Sequence, residues 1–166
     1  MRHSPTWPLA AAALLIAAAS AAAADYRPYA NARFGTAADV PAGWASDPPP
    51  ENGDGLVFRS PEHTASVTVS GSLHVWDTID EAMAIYEQPN NGETITYRHR
   101  EPRALVVSGT HGDTIFYSRH ILSCHDRVWN SVYIEYPASQ KAAYDAMVTH
   151  IARSLHAGRS GQLGGC

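Results

Sequence analysis

Four runs of strand-forming residues, separated by three short turns, occupy residues 94–136 and restrict the fold more than any other feature of the chain. The predicted strands cover residues 94–100, 104–110, 114–123 and 127–136. The turns between them contain Pro102, Gly112 and Asp126. Short connections rich in turn-forming residues join antiparallel neighbours. We therefore expect an antiparallel meander at the centre of the fold.

The segment before the meander also predicts β structure. Residues 56–59 and 65–70 predict a hairpin, because Ala65, Val67 and Val69 alternate with polar residues and so share one face. Residues 33–41 predict an edge strand that ends at Pro41. Residues 25–32 are expected to be a polar entry, and residues 42–55 a surface loop.

Two helices are expected beside the strands. Thr78 and Glu81 have the spacing of a capping box and predict a helix over residues 79–87. Residues 139–155 predict a second helix, whose apolar side chains fall at helical spacing. The order of elements predicts an α+β fold, a layered sandwich in which two helices flank an antiparallel sheet.

The first 24 residues have the pattern of a secretory signal peptide. Arg2 precedes an apolar run over residues 9–24, and small residues at Ala22 and Ala24 predict cleavage before Asp25. A membrane anchor is the alternative, but this alanine-rich run is shorter than the roughly 20 strongly apolar residues that span a bilayer. We expect a periplasmic or secreted protein without a membrane span in its mature chain.

The mature chain is expected to contain one domain, over residues 25–156, and a glycine-rich tail, over residues 157–166. The whole chain has a net charge of −4, which becomes −5 when Arg2 is removed. An acidic balance argues against nucleic acid as a partner, since proteins that bind nucleic acid are usually basic. An envelope protein or a small-molecule ligand remains as the expected partner.

Several short motifs resemble a recurrent group of small exported bacterial proteins to which no activity is assigned. They lie at residues 29–35, 52–56, 70–72, 107–109 and 136–155. The resemblance implies an exported domain and supplies no catalytic residues. The order of elements also resembles the PsbP-like fold, whose members are mostly accessory or binding modules. This second resemblance implies a non-enzymatic role.

The two cysteines, Cys124 and Cys166, favour a disulfide. Export places them in an oxidising compartment, and a helix that returns along the preceding strand would bring the tail back toward Cys124. The alternatives are two free thiols without a catalytic role and a cysteine hydrolase. Cys124, His125 and Asp126 are adjacent, but neighbouring residues splay apart, so a distant base such as His99 or His150 would be needed.

The mature chain contains eight histidines, which raises the question of a metal site. They are His63, His74, His99, His111, His120, His125, His150 and His156. No pair has the tight spacing of a ligand motif, so surface histidines are the expectation and no cofactor is predicted. His125 and His156 are the weak metal candidates, because the returning helix would bring them together.

Two groups of residues form the candidate ligand surface. Trp129, Tyr133 and Glu135 share one face of the last strand, where core packing competes with a ligand cleft. Glu135 is also a candidate for an ion pair with Arg119 or Arg98.

The second group is the stiff, polar loop that carries Asp47, Glu51 and Asp54. Such loops often take part in recognition. The three carboxylates are candidates for weak calcium binding, although they lack the spacing of a calcium loop.

We therefore expect a non-enzymatic accessory or ligand-binding module with no catalytic residues. The alternatives are a small hydrolase that uses Cys124 or a carboxylate, and a weak periplasmic metal-binding protein that uses histidines.

Overall fold

Strand β9, Val128–Pro137, runs through the interior of the larger of two antiparallel sheets. The computed structural model describes residues 25–159, so the predicted signal peptide and residues 160–166 lie outside it. The other strands are β1 Tyr26–Ala30, β2 Thr36–Pro41, β3 Ala45–Ser46, β4 Gly55–Arg59, β5 Ser66–Leu73, β6 Glu93–Glu101, β7 Ala104–His111, β8 Thr114–Ser123 and β10 His156–Ala157. The helices are α1 Ile79–Tyr86 and α2 Lys141–Ser154, and a 3-10 turn, Ala138–Gln140, precedes α2.

The larger sheet has the strand order β3-β4-β5-β9-β8-β7-β6, and the smaller sheet has the order β1-β2-β10. The predicted meander is confirmed, because β6, β7, β8 and β9 each pair with the next strand. The predicted hairpin, β4–β5, joins the meander where β5 pairs with β9. The expected α+β fold, an antiparallel sheet with two helices, is confirmed.

Strict alternation along β9 gives the larger sheet two buried faces. Val132, Ile134 and Tyr136 belong to a core that also contains residues of α2 and of the smaller sheet. Trp129 points the other way, into a second core that contains Ala82 of α1. Since both faces carry apolar side chains, each of them needs its own cover.

Both helices form where the sequence predicts them. Thr78 accepts a hydrogen bond from the amide of Glu81 at 3.1 Å, and the Glu81 carboxylate accepts one from the amide of Thr78 at 3.2 Å. This capping box satisfies two amides that the first turn leaves without partners. Helix α2 buries Met147, Val148 and Ile151 along one stripe. No helix within residues 25–159 has the length and apolarity needed to cross a membrane.

The N-terminal region departs from the prediction. Residues 25–32 contain strand β1. The sequence does not predict this strand, because Pro28 interrupts its strand pattern. An edge strand tolerates proline, since its outward amide needs no partner. Strand β2, predicted as an edge, lies between β1 and β10. The predicted boundary at residue 156 falls inside β10, and the Gly158 amide donates to Gly35.

A bulge in β6 decides which of its side chains face α1. The pairing register shifts between Ile95 and Tyr97, so Ile95 lies opposite Gly109 and Arg98 opposite Val107. An extra residue in one strand reverses its alternation. Glu93 and Ile95 therefore share the α1 face with Arg98. Glycine is required at 109, because a Cβ there would lie 2.0 Å from the Thr94 carbonyl oxygen.

Candidate ligand cleft between helix α1 and the sheet

A cleft of about 210 Å³ lies between α1 and strands β6 to β9. Six of its described lining residues are apolar or aromatic, namely Ile85, Tyr86, Ile95, Val107, Phe116 and Tyr133. The polar lining residues are Gln88, Asn90, Glu93, Ser118 and His120. An apolar cavity with a few polar groups is the usual form of a small-molecule site.

Local structure explains how these residues meet. Phe116, Ser118 and His120 alternate along β8 and therefore share the face that α1 covers. Helix α1 ends at Tyr86, and the turn that follows it brings Asn90 to the start of β6. The cleft thus lies beyond the C-terminal end of α1, where the sheet continues and the helix no longer covers it.

His120 is buried, with 8% of its surface exposed, and it lines the cleft. Its Nδ1 lies 2.7 Å from the Ser131 hydroxyl oxygen. Burial lowers the pKa of His120 to about 4, so the ring is neutral at neutral pH. Nε2 makes no hydrogen bond to a described residue. Since no side-chain nitrogen or oxygen in residues 25–159 is both fully buried and unpartnered, Nε2 remains accessible.

Tyr133 and Glu93 form a hydrogen-bonded pair at the same cleft. The Tyr133 hydroxyl donates to Glu93 Oε1 at 2.8 Å. Asn90 donates to the same carboxylate from its backbone amide at 2.8 Å and from its side chain at 3.1 Å. Burial raises the pKa of Glu93, but these hydrogen bonds outweigh burial and the pKa is lowered. Burial and the Glu93 hydrogen bond raise the pKa of Tyr133, so the phenol stays protonated.

The predicted ligand face of β9 is divided between core and cleft. Trp129 is fully buried, and its Nε1 donates to Nδ1 of His74 at 3.0 Å. Tyr133 lines the cleft. Glu135 accepts a hydrogen bond from Ser66 at 3.4 Å.

The ion pair that we expected for Glu135 does not form with either arginine. Arg119 lies on the opposite face of the sheet, where it donates to the Ala152 carbonyl. Arg98 shares the α1 face but donates to the Glu87 carbonyl. Strand alternation keeps Arg119 away from Glu135, and the bond to the residue after α1 keeps Arg98 away from it.

Two of the three candidate carboxylates in the loop are paired with arginines. The Arg59 guanidinium donates to Asp47 at 2.9 Å, and Arg33 forms an ion pair with Asp54. Glu51 is exposed. The described residues contain no group of three histidine, cysteine, aspartate or glutamate side chains placed to hold a metal ion. The loop therefore packs by ion pairs and does not gather its carboxylates.

Cys124, His125 and Asp126 form a tight turn in which all three residues have positive φ, at 57°, 54° and 62°. Asp126 does not orient His125, because it accepts two hydrogen bonds from Arg103, at 2.7 and 2.9 Å. The distant histidines considered as bases are also engaged elsewhere. His99 lies 3.6 Å from Glu101, and His150 lies 2.8 Å from Asp39.

The chain returns to this turn after α2, as the disulfide prediction requires. Cys124 and His125 line the same cavity as Ala157 and Gly158. Cys166 lies outside the described residues, so the pairing with Cys124 stays a prediction. Nδ1 of His156 bonds to the Ser154 carbonyl, and the described residues contain no group of three potential ligands that includes His125 or His156, so the weak metal hypothesis stays a prediction.

The sequence pointed to Tyr133 but not to Tyr86, Glu93 or His120. His120 was grouped with the surface histidines, and the structure corrects this. The signal that identifies it is its position in the alternation of β8, between Ser118 and Leu122, which are both buried. No sequence signal places Glu93 in the cleft, because the sequence does not predict the bulge that puts Glu93 on the α1 face.

Comparisons with known proteins support the fold. No protein-family model and no curated protein matches the chain. The solution structure of a cyanobacterial PsbP from Synechocystis matches with a TM-score of 0.59 at 13% identity, covering 86% of this chain and 98% of that chain.

Two other solved structures match with similar scores. The Ran-binding protein Mog1p of Saccharomyces cerevisiae has a TM-score of 0.56 at 12% identity, covering 81% of this chain and 96% of that chain. A point mutant of Mog1 has a TM-score of 0.58 at 12% identity, covering 84% and 98% of the two chains. At these identities the likeness is one of architecture. The chain has the PsbP-like α+β fold that the order of its elements predicted.

Proposed function

We propose that this chain is an exported, non-enzymatic binding module that holds its ligand in the cleft between α1 and the sheet. The observation that carries the proposal is the cleft itself, which combines an apolar and aromatic wall with the accessible Nε2 of His120. One structural neighbour is described as a Ran-binding protein, so this architecture is compatible with a binding role. The proposed export rests on the pattern of residues 1–24.

The polar groups of the cleft favour binding over catalysis. With a pKa of about 4, His120 is a weak base at neutral pH, whereas general bases work best with a pKa near the working pH. Ser118 donates its hydroxyl proton to the Val107 carbonyl, so it is not activated as a nucleophile. Hydrogen bonds from Tyr133 and Asn90 lower the pKa of Glu93, so its carboxylate is a weak general base.

A matched pair of substitutions tests the proposal. Ile85 lines the cleft and is 46% exposed, whereas Leu73 is 45% exposed and lies outside the lining. Ile85→Trp should fill the mouth of the cleft without disturbing the core, and Leu73→Trp adds the same indole elsewhere. The wild-type protein and both variants are incubated with the small-molecule extract of their own cell envelope and are then examined by native mass spectrometry.

We expect one saturable adduct of stoichiometric mass on the wild-type protein and on Leu73→Trp, and none on Ile85→Trp. An adduct that persists on Ile85→Trp would place the ligand elsewhere. A wild-type protein that takes up nothing from the extract would contradict a small-molecule role for the cleft.

A further inference from the structure

We propose that the cleft recognises an alkylammonium group, supplied by a small amine or by a lysine side chain of a partner protein. This inference rests on the proposed function and adds the charge and shape of the ligand. It follows from three properties of the cleft. Its lining carries a negative charge without a cation, its volume is small with apolar side chains along part of the wall, and it offers more hydrogen-bond acceptors than donors.

The charge of the cleft comes from one residue. Among the described residues that line the cleft, Glu93 is the only carboxylate, and none is a lysine or an arginine. Its hydrogen-bond donors, Tyr133 and Asn90, are neutral, so they hold the carboxylate in place without cancelling its charge. His120 adds no positive charge, because burial keeps its ring neutral at neutral pH.

The nearest arginines of β6 both bond to Glu87, the residue that follows α1. Arg100 donates to both oxygens of the Glu87 carboxylate, at 2.7 and 2.6 Å, and Arg98 donates to the Glu87 carbonyl. His111 is the basic group close enough to help lower the pKa of Glu93, and it is not part of the lining. Glu135 adds a second negative charge near the Tyr133 hydroxyl. The field in the cleft therefore favours a cation.

The wall fits the hydrocarbon part of such a ligand. Ile85, Ile95 and Val107 offer apolar contact, and the rings of Tyr86 and Phe116 border the same space. A cation within about 6 Å of an aromatic face gains further attraction, of about 0.5–2 kcal/mol. A volume of about 210 Å³ is below the usual range of drug-sized sites and suits a short chain.

Hydrogen bonding selects the same group. An ammonium has three N–H donors and no acceptor. Glu93 and the side-chain amide oxygens of Gln88 and Asn90 are acceptors. Nε2 of His120 is also an acceptor in the tautomer whose Nδ1–H donates to Ser131. Glu93 would repel a carboxylate ligand, because no cation in the described lining offsets the two negative charges. A neutral ligand would not offset the charge of Glu93.

The test compares three probes of equal length by ¹⁵N-¹H NMR titration: hexylammonium, hexan-1-ol and hexanoate. We expect hexylammonium to give saturable shifts in the amide signals of the cleft residues. Hexan-1-ol should bind at least tenfold more weakly, and hexanoate should not bind. Nα-acetyl-lysine amide distinguishes the source of the amine: tighter binding than that of hexylammonium supports a lysine side chain, and weaker binding supports a free amine.

Glu93→Gln removes the charge with little change in volume, and it should weaken hexylammonium binding at least tenfold. Glu51→Gln makes the same change on the exposed loop and should have no effect. Ile85→Trp keeps Glu93 but fills the cleft, so it should abolish binding of every probe. A dispersed amide spectrum for each variant shows that it is folded.

The outcomes separate this inference from the proposed function. Equal affinity for hexan-1-ol and hexylammonium, both lost in Ile85→Trp, would overturn the charge preference and leave the cleft as the binding site. Failure of all three probes, together with an adduct from the envelope extract, would also overturn only the alkylammonium inference. Failure of both experiments would overturn both proposals.

Discussion

The imidazole ring of His120 stacks on the phenol ring of Tyr86, with ring centroids 4.2 Å apart and an angle of 21° between the planes. One ring belongs to the interior strand β8 and the other to the last residue of α1, so the contact fixes the end of the helix against the sheet. The stack and the surrounding core exclude water from most of the imidazole, and Nε2 alone stays accessible from the cleft. Exclusion of water disfavours the charged form, which is why the pKa of His120 falls to about 4.

This burial makes the stability of the fold dependent on pH. An unfolded histidine has a pKa of about 6.5, so between that value and about 4 the unfolded chain binds a proton that the folded chain does not. The free energy of unfolding should therefore fall as the pH drops through this window. A shift of this size corresponds to about 3 kcal/mol, and the loss is complete near pH 4.

Urea denaturation at several pH values between 4 and 7 measures the effect. His120→Gln removes the titration and should flatten the part of the pH dependence that His120 causes. His99→Gln is the matched control, because it removes an exposed histidine and leaves His120 in place. If wild type and His120→Gln show the same slope over this window, His120 is not buried in its neutral form.

Tyr133→Phe tests the pair at the cleft. The Tyr133 hydroxyl donates to Glu93 at 2.8 Å and helps to lower the pKa of its carboxyl group. Without this donor we expect the pKa of Glu93 to rise, measured by ¹³C NMR of the labelled carboxyl group. Tyr97→Phe removes an exposed hydroxyl on the other face of β6 and should leave that pKa unchanged. An unchanged value in Tyr133→Phe would show that the hydrogen bond is absent in solution.

The alternation along β9 shows what could be predicted from the residues. Val132 and Trp129 fall on opposite faces of a strand that is apolar on both, and this pattern correctly required cover on each side of the sheet. The capping box at Thr78 fixed the start of α1 for a similarly local reason. Features of this kind depend only on neighbours in the chain.

The cleft could not be predicted, because it depends on non-local geometry. Glu93 reaches it through a bulge in β6, which requires β7 as a partner and Gly109 as the point of close approach. For His120 the alternation of β8 is the one signal in the sequence, and alternation alone does not show that α1 covers that face. Strand β1 was missed because Pro28 is typical of loops and is also tolerated at a sheet edge.

A buried hydrogen bond between the two sheets should contribute measurably to stability. Thr36 of β2 donates its hydroxyl proton to the Asn130 side chain of β9 at 2.8 Å, and both residues are fully buried. Asn130→Leu should lower the free energy of unfolding by about 1–3 kcal/mol, because it leaves the Thr36 hydroxyl without this acceptor. Chemical denaturation measures the change.

Thr36→Val provides the second arm of a double-mutant cycle. The double variant should lose less stability than the sum of the two single variants, because the second substitution removes the hydroxyl that the first one leaves unpaired. Strictly additive losses would mean that Thr36 and Asn130 do not interact in solution.

The disulfide prediction can be tested at the turn that holds Cys124. Ala157 and Gly158 border the same cavity as Cys124, so the segment leading to Cys166 starts close to its predicted partner. The intact mass of the protein purified without reductant should be lower by two hydrogens than that of the reduced protein. Reduction should lower the free energy of unfolding by about 3–4 kcal/mol, as for a closed loop of this length. Cys124→Ser should be insensitive to reductant. A wild-type chain that keeps both thiols when it is purified without reductant, as free-thiol alkylation and mass would show, would contradict the pairing and reopen the thiol-hydrolase hypothesis for Cys124.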